Sequence, residues 1–141
     1  MDFFDALVRY ETDLWNHLDR RLADAGATSL AVLEALRVVG RHAGRARVAE
    51  LQDELRITVG AASKLVDRLE RDGLAVRAPN PEDRRSSVLS LTAAGVHQHD
   101  TGLAIVNAAL AEHTEGFGSD LELSTRIFVS LTDRLTAEKI R

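Results

Sequence analysis

The segment NPEDRRSSVLSLT, residues 80–92, places two acids and two neighbouring arginines directly behind a proline, and then changes into an alternating apolar run. An arginine guanidinium is planar and permanently charged, and it readily enters a narrow, electronegative DNA minor groove. We therefore expect Arg84 and Arg85 to lie at an exposed turn and to contact DNA. Asp83 fits this interpretation as the carboxylate that orients an arginine across the turn.

Residues 59–72 form a predicted helix with two different faces. At 100° per residue, the apolar side that can pack into the domain is formed by Ala62, Leu65, Val66 and Leu69. The other side begins with small residues, which allow the first helical turn to approach base edges in a major groove. Thr58 precedes the helix, where backbone N–H groups are free to bind a phosphate. The candidate DNA contacts are Gly60 for close approach, Ser63 and Lys64 for bases, and Thr58, Arg68 and Arg71 for phosphates.

The elements that must position these residues follow from periodicity and capping signals. Apolar residues at three- and four-residue steps predict helices, whereas alternation predicts strands. The first predicted helix covers residues 3–25, and the second is capped by Thr28 or Ser29 and ends near Gly44. Two shorter helices follow over residues 48–55 and 59–72. Thr92 caps a long fifth helix, and a capping box of Ser119 and Glu122 begins the last one. Two predicted strands, 74–77 and 87–91, have both prolines, Pro79 and Pro81, between them. A short helix, a tight turn, a second helix and a hairpin are typical of a winged helix-turn-helix. The predicted fold class is therefore mainly α with a small β-hairpin.

Residues 57–95, ITVGAASKLVDRLERDGLAVRAPNPEDRRSSVLSLTAAG, resemble the recognition helix, wing and following helix start of MarR-family transcriptional regulators. The matching elements are LVDRLERDGL, the D-x-R of Asp83 and Arg85, and LTAAG. The segment departs from many relatives in its opening VGAA, residues 59–62, which is poor in hydrogen-bonding groups. This departure indicates sparse direct base readout and a larger contribution from DNA shape.

The resemblance implies a single winged-helix domain over residues 1–141 that forms an intertwined homodimer. Residues 1–44 and 92–141 would supply dimerisation helices, and residues 45–91 the winged helix-turn-helix that binds DNA. The terminal helices also hold apolar residues that one small core cannot cover, so a second copy is expected to bury them. These residues include Phe3, Phe4, Trp15, Phe128 and Ile140. The implied function is a regulator, more often a repressor, on a pseudo-palindromic operator.

Composition narrows the class of protein. The sequence shows no signal-peptide pattern and no apolar run of about 20 residues, so we expect a cytoplasmic protein without a membrane span. It holds no cysteine, which excludes disulfides and thiolate metal sites. The net charge of -4 hides a basic middle, because residues 41–85 carry 10 basic and 8 acidic side chains, a net +2, while each flank carries 4 and 7, a net -3.

Other kinds of site have weaker support in the sequence. Family members commonly release DNA when a small aromatic or phenolic acid binds, and the first candidates for such a pocket are Trp15, His17 and His42. The histidines have no metal-ligand spacing, and no catalytic motif is present, so we expect no metal, no cofactor and no enzyme activity. The alternative hypothesis is a winged-helix module that contacts other proteins and does not bind DNA.

Overall fold

A computed structural model describes residues 1–139 of the chain, which divide into two compact units, the first ending at Asn107 and the second beginning at Ala108. The helices are α1 (Phe3–Asp24), α2 (Leu30–Arg41), α3 (Val48–Leu55), α4 (Val59–Arg71), α5 (Ala93–His113) and α6 (Gly118–Lys139). Strands β1 (Ala75–Pro79) and β2 (Ser87–Leu91) form an antiparallel hairpin between α4 and α5. The predicted fold class is confirmed. Within residues 1–139, no helix has the length and apolarity that crossing a bilayer requires.

The hydrophobic core of the first unit lies where α2, α3, α4 and β2 meet. Leu36 of α2, Leu51 of α3, Leu69 of α4 and Leu89 of β2 are all at most 1% exposed. This arrangement fixes the inner side of α4 against α2 and α3, so its other side remains available at the surface. The predicted apolar side of α4 is confirmed, with Leu65 only partly buried at the margin.

Helix termini are set by local hydrogen bonds. The Ser29 hydroxyl accepts a hydrogen bond from the Val32 N–H, so it is Ser29 that caps α2. Helix α2 ends at Arg41, three residues before the predicted end, because Ala43 and Gly44 both adopt positive φ. At the end of α4, the Leu74 N–H donates to the Leu69 carbonyl and the Gly73 N–H to the Glu70 carbonyl, which is a Schellman motif.

The Schellman motif explains why the first strand differs from its predicted range. Leu74 completes the helix end, so β1 begins at Ala75 and runs on to Pro79. Pro79 is therefore not in the turn as predicted but pairs with Ser87 at the end of the strand. Proline is accepted there because β1 is an edge strand. The other side of β2 is covered by the segment before α3, where the Leu89 N–H donates to the Ala46 carbonyl at 2.7 Å.

Two further predictions concern the ends of the last helices. Thr92 caps α5 as expected, and its hydroxyl accepts from the Gly95 N–H at 3.0 Å. The capping box at Ser119 and Glu122 is wrong, because α6 already begins at Gly118 and the Phe117 carbonyl accepts from the Asp120 and Leu121 N–H groups. Ile140, expected among the apolar residues of the terminal helix, lies outside the described residues.

Candidate nucleic-acid interface

The N-terminal end of α4 presents a low, accessible surface. The Thr58 hydroxyl oxygen accepts a hydrogen bond from the Ala61 N–H at 3.2 Å and so caps the helix. Gly60 faces open space, since a Cβ placed there would meet only the Thr58 hydroxyl, at 4.0 Å. Lys64 is exposed and Ser63 partly so. The residues predicted to approach base edges thus lie on one accessible helix end.

The cations on α4 differ in whether a carboxylate holds them. Arg68 and Arg71 are exposed near the C-terminal end, and both lie beside Asp72, with N–O distances of 3.7 Å and 3.5 Å. Exposed ion pairs of this kind stabilise a protein by about 1 kcal/mol or less, so a phosphate can compete for either arginine. Lys64 forms no ion pair with any residue in the range 1–139. It is therefore the α4 cation most available to a ligand.

The turn between β1 and β2, residues 80–86, is here called the wing tip. One Asp83 carboxylate oxygen accepts a hydrogen bond from the Arg85 backbone N–H at 2.9 Å. The Asn80 amide accepts from the Glu82 N–H at 3.0 Å and donates to the Ser86 hydroxyl at 2.9 Å. Two of these side-chain hydrogen bonds go to nearby backbone N–H groups and the third goes to the Ser86 hydroxyl, and together they build the turn without any glycine.

Both wing-tip arginines are exposed, and among the described residues neither has an ion-pair partner. The prediction that Asp83 orients an arginine is therefore corrected in its detail. Asp83 fixes the backbone of Arg85 and not its guanidinium, which leaves the charged groups of Arg84 and Arg85 free to bind an anion.

Arg77 on β1 was missed by sequence reasoning. Its Nη2 lies 3.1 Å from the Asp67 carboxylate and its Nε lies 3.3 Å from the Glu70 carboxylate, both on α4. These bonds join the wing directly to α4. No spacing rule could have found them, because Arg77 lies on β1 whereas its two partners lie 7 and 10 residues earlier in the chain, on α4.

Two further carboxylates organise the region around α3. Hydrogen bonds from the Arg47 guanidinium and backbone lower the pKa of Glu50, and the same carboxylate raises the pKa of Arg47. A hydrogen bond from the His42 ring, with a second from Arg41, lowers the pKa of Glu54. Since Arg41 and His42 end α2 and Glu54 lies on α3, this cluster joins the two helices.

Of the three candidate effector residues, only His42 lines either of the two cavities described here for the first unit. His42 lines a cavity of about 700 Å³ between the α2–α3 connection and the wing, and neither Trp15 nor His17 is among its lining residues. A second cavity, of about 740 Å³, lies between the end of α2, β2 and the start of α5. Its lining includes Arg41, Leu91, Val96 and His99, none of which was among the predicted effector residues.

The structure gives no support for a metal site within residues 1–139. In the part of the chain that the structure describes, no three His, Asp or Glu side chains lie close enough together to hold a metal ion. His99 pairs with the adjacent Asp100 at 2.8 Å, and His97 is exposed on the same helix.

Comparison with known proteins finds similar sequences and folds among members of one family. Residues 28–86, which include α2, α3, α4 and most of the wing, match the sequence profile of the MarR family. The chain is 28% identical over 115 residues to the HTH-type transcriptional regulator MhqR of Bacillus subtilis, covering 80% of this chain and 72% of that protein.

Solved structures show the same fold at lower identity. CouR of Rhodococcus jostii RHA1 bound to p-coumaroyl-CoA superposes with a TM-score of 0.80 at 23% identity, over 91% of this chain and 89% of CouR. The transcriptional repressor CouR bound to a 23-mer DNA duplex also gives 0.80, at 22% identity over 94% and 92%. A Mycobacterium tuberculosis MarR family protein in complex with p-aminosalicylic acid gives 0.72, at 22% identity over 94% and 99%.

The sequence profile covers the elements that carry the candidate interface, and both the curated relative and the solved structures are MarR-family proteins. The resemblance to MarR-family winged helix-turn-helix transcriptional regulators is therefore confirmed, by the family profile over residues 28–86 and by the relative MhqR.

Proposed function

We propose that this protein is a dimeric repressor that binds a pseudo-palindromic operator and has no enzyme activity. The observation that carries the proposal is that three of the predicted DNA contacts, Lys64 on α4 and Arg84 and Arg85 on the wing tip, are exposed and have no carboxylate partner in the described chain. Cations that are free of protein partners can neutralise phosphates without first breaking an ion pair. CouR, which shares the fold, was crystallised on a DNA duplex.

In the proposed complex, the N-terminal end of α4 enters a major groove. Ser63 and Lys64 meet base edges, and Thr58 lies at the helix N-terminus beside a phosphate. Arg68 and Arg71 exchange their exposed contacts with Asp72 for contacts with phosphates. The wing-tip arginines enter the neighbouring minor groove, where negative potential is concentrated.

Dimerisation is proposed from the apolar surface of the terminal helices, each considered separately. On α1, Phe3 is 63% exposed and Phe4 is 70% exposed. On α6, Phe128 is 41% exposed and Leu135 is 63% exposed. Apolar surface of this extent is unusual for a monomer, and a second copy of the chain would bury it. Two copies would then present two α4 helices to two half-sites, about one helical turn apart.

We also propose that a small aromatic acid releases the DNA. Two proteins of the same fold were solved with related aromatic ligands: CouR with p-coumaroyl-CoA, which is the coenzyme A thioester of a phenolic acid, and the M. tuberculosis protein with p-aminosalicylic acid, a small aromatic acid. The 740 Å³ cavity offers apolar walls at Leu91 and Val96 beside the cationic Arg41 and the ionisable His99. Trp15, His17 and His42, the contacts predicted from the sequence, do not line this cavity and stay candidates only for a ligand bound elsewhere.

The test is titration of the protein into a duplex that the wild-type chain selects from a randomised pool, at several salt concentrations. We expect log K to fall linearly with log salt, with a slope of about 0.9 per phosphate neutralised. Arg84→Ala/Arg85→Ala should weaken binding at least about tenfold and reduce that slope by about 1.8. If selection enriches no duplex at low salt, the chain is the alternative, a winged-helix module for protein contacts.

A further inference from the structure

The DNA-facing side of α4 contains acidic groups that oppose its proposed function. Asp67 lies on the side that also carries Lys64 and Arg71, and its side chain is 71% exposed. Glu70 follows one turn later and is partly exposed. A carboxylate near a DNA backbone repels the phosphates, and the repulsion reaches about 10 Å at 0.1 M salt. The helix therefore needs some means of reducing this repulsion.

Arg77 lies where it can do so. Its guanidinium comes from β1 and contacts both carboxylates at once, at 3.1 Å from Asp67 and 3.3 Å from Glu70. Its side chain is only 36% exposed, so it is more shielded than the Asp67 carboxylate that it holds. The three groups together carry a charge of -1, compared with -2 for the two carboxylates alone.

We propose that Arg77 is a positioning residue for DNA binding. It turns the two α4 carboxylates toward the wing and halves their combined charge, so that α4 can approach phosphates. Arg77 acts through Asp67 and Glu70 and does not itself touch DNA. This inference rests on the proposed DNA-binding function, and it adds a requirement that lies outside the contact surface.

The experiment compares four proteins on the duplex selected by the wild-type chain. Arg77→Met keeps the length of the side chain and removes its charge, which should weaken binding by about fivefold at 0.1 M salt. Asp67→Asn/Glu70→Gln, with Arg77 retained, should bind at least as tightly as wild type. The triple variant, Arg77→Met/Asp67→Asn/Glu70→Gln, should return to within about twofold of wild type because no unpaired carboxylate remains.

Arg37→Met is the matched control. Arg37 is also 36% exposed and pairs with a carboxylate, Glu34 of α2, at 2.8 Å. The Arg37→Met substitution removes one positive charge, as Arg77→Met does, but at a position outside α4 and the wing. The DNA affinity of this variant should therefore stay within about twofold of wild type. Equal weakening by Arg37→Met and Arg77→Met would show an effect of total charge only, and would overturn the proposal.

The remaining outcomes separate the proposal from two other roles. If Arg77 only braces the wing, Asp67→Asn/Glu70→Gln will weaken binding as Arg77→Met does. If Arg77 contacts a phosphate, the salt slope of the triple variant will be shallower than that of wild type by about 0.9. Either result overturns the proposal while leaving the proposed function intact. If Arg77→Met does not fold, the Asp67→Asn/Glu70→Gln variant decides between tightening and weakening on its own.

Discussion

The hydrogen bond from the Arg85 N–H to the Asp83 carboxylate leads to a prediction that separates charge from turn geometry. Asp83→Asn keeps an oxygen that can accept this bond, whereas Asp83→Ala removes it. Both substitutions remove the same negative charge from the wing tip. Any difference between the two variants therefore reports the turn alone.

The expected magnitudes follow from the two effects. Losing a net hydrogen bond costs about 1 kcal/mol, so Asp83→Ala should bind DNA about fivefold more weakly than Asp83→Asn. Removing one exposed carboxylate about 8 Å from a phosphate gains about 0.5 kcal/mol before screening by salt, so with screening Asp83→Asn should bind up to about twofold more tightly than wild type.

Fluorescence anisotropy with a labelled duplex measures these affinities. The charge control is Glu82→Gln, since the structure gives the Glu82 backbone a turn hydrogen bond but gives its carboxylate none within residues 1–139. Glu82→Gln should match Asp83→Asn. If Asp83→Asn instead loses as much affinity as Asp83→Ala, the carboxylate charge is what matters, and Asp83 orients a guanidinium as the sequence first suggested.

Other predictions concern stability. Gly95→Ala should lower the free energy of unfolding by about 3 kcal/mol in a denaturant titration, because its Cβ would lie 1.9 Å from the Leu74 carbonyl oxygen. Gly60 faces open space, so Gly60→Ala should instead raise the free energy of unfolding by about 0.5–1 kcal/mol. Equal effects of the two substitutions would contradict the packing argument. The lowered pKa values of Glu50 and Glu54 add stability above the ordinary value of 4.5 that is lost as pH falls through the folded-state values. Thermal unfolding of Glu50→Gln and Glu54→Gln between about pH 6 and 3 should therefore show a weaker decline than wild type, and an unchanged decline would assign no role to these bonds.

Local signals were sufficient for most of the fold. The bounds of α3 and β2 were predicted correctly, and Thr58 and Thr92 cap the helices expected of them. Each of these assignments depends on periodicity or on a hydrogen bond that spans only three residues. The prediction that one side of α4 is buried was of the same kind, because apolar spacing alone determines which residues face a core.

The errors arose where backbone conformation decides between two permitted outcomes. The start of β1 depended on whether Leu74 would complete the end of α4. The start of α6 depended on whether the first helical hydrogen bonds would be accepted by the Phe117 carbonyl or the helix would begin only after Ser119. The contacts of Arg77 depended on how the hairpin lies against α4, which no local pattern contains. The DNA-contact and effector residues stay predictions, because their roles depend on molecules that bind from outside.

The distribution of ion pairs explains how an acidic protein can present a basic surface. Residues 41–85 have a net charge of only +2, which would by itself give weak attraction to DNA. In the folded chain, however, four of the eight carboxylates of this segment are held by arginines outside the predicted DNA contacts: Glu50 by Arg47, Glu54 by Arg41, and both Asp67 and Glu70 by Arg77. Within the described residues, Lys64 and the wing-tip arginines, like Arg45 and Arg56, are exposed and have no ion pair, so a phosphate can reach them without displacing a carboxylate. Affinity for DNA should therefore depend on which cations are unpaired more than on their number.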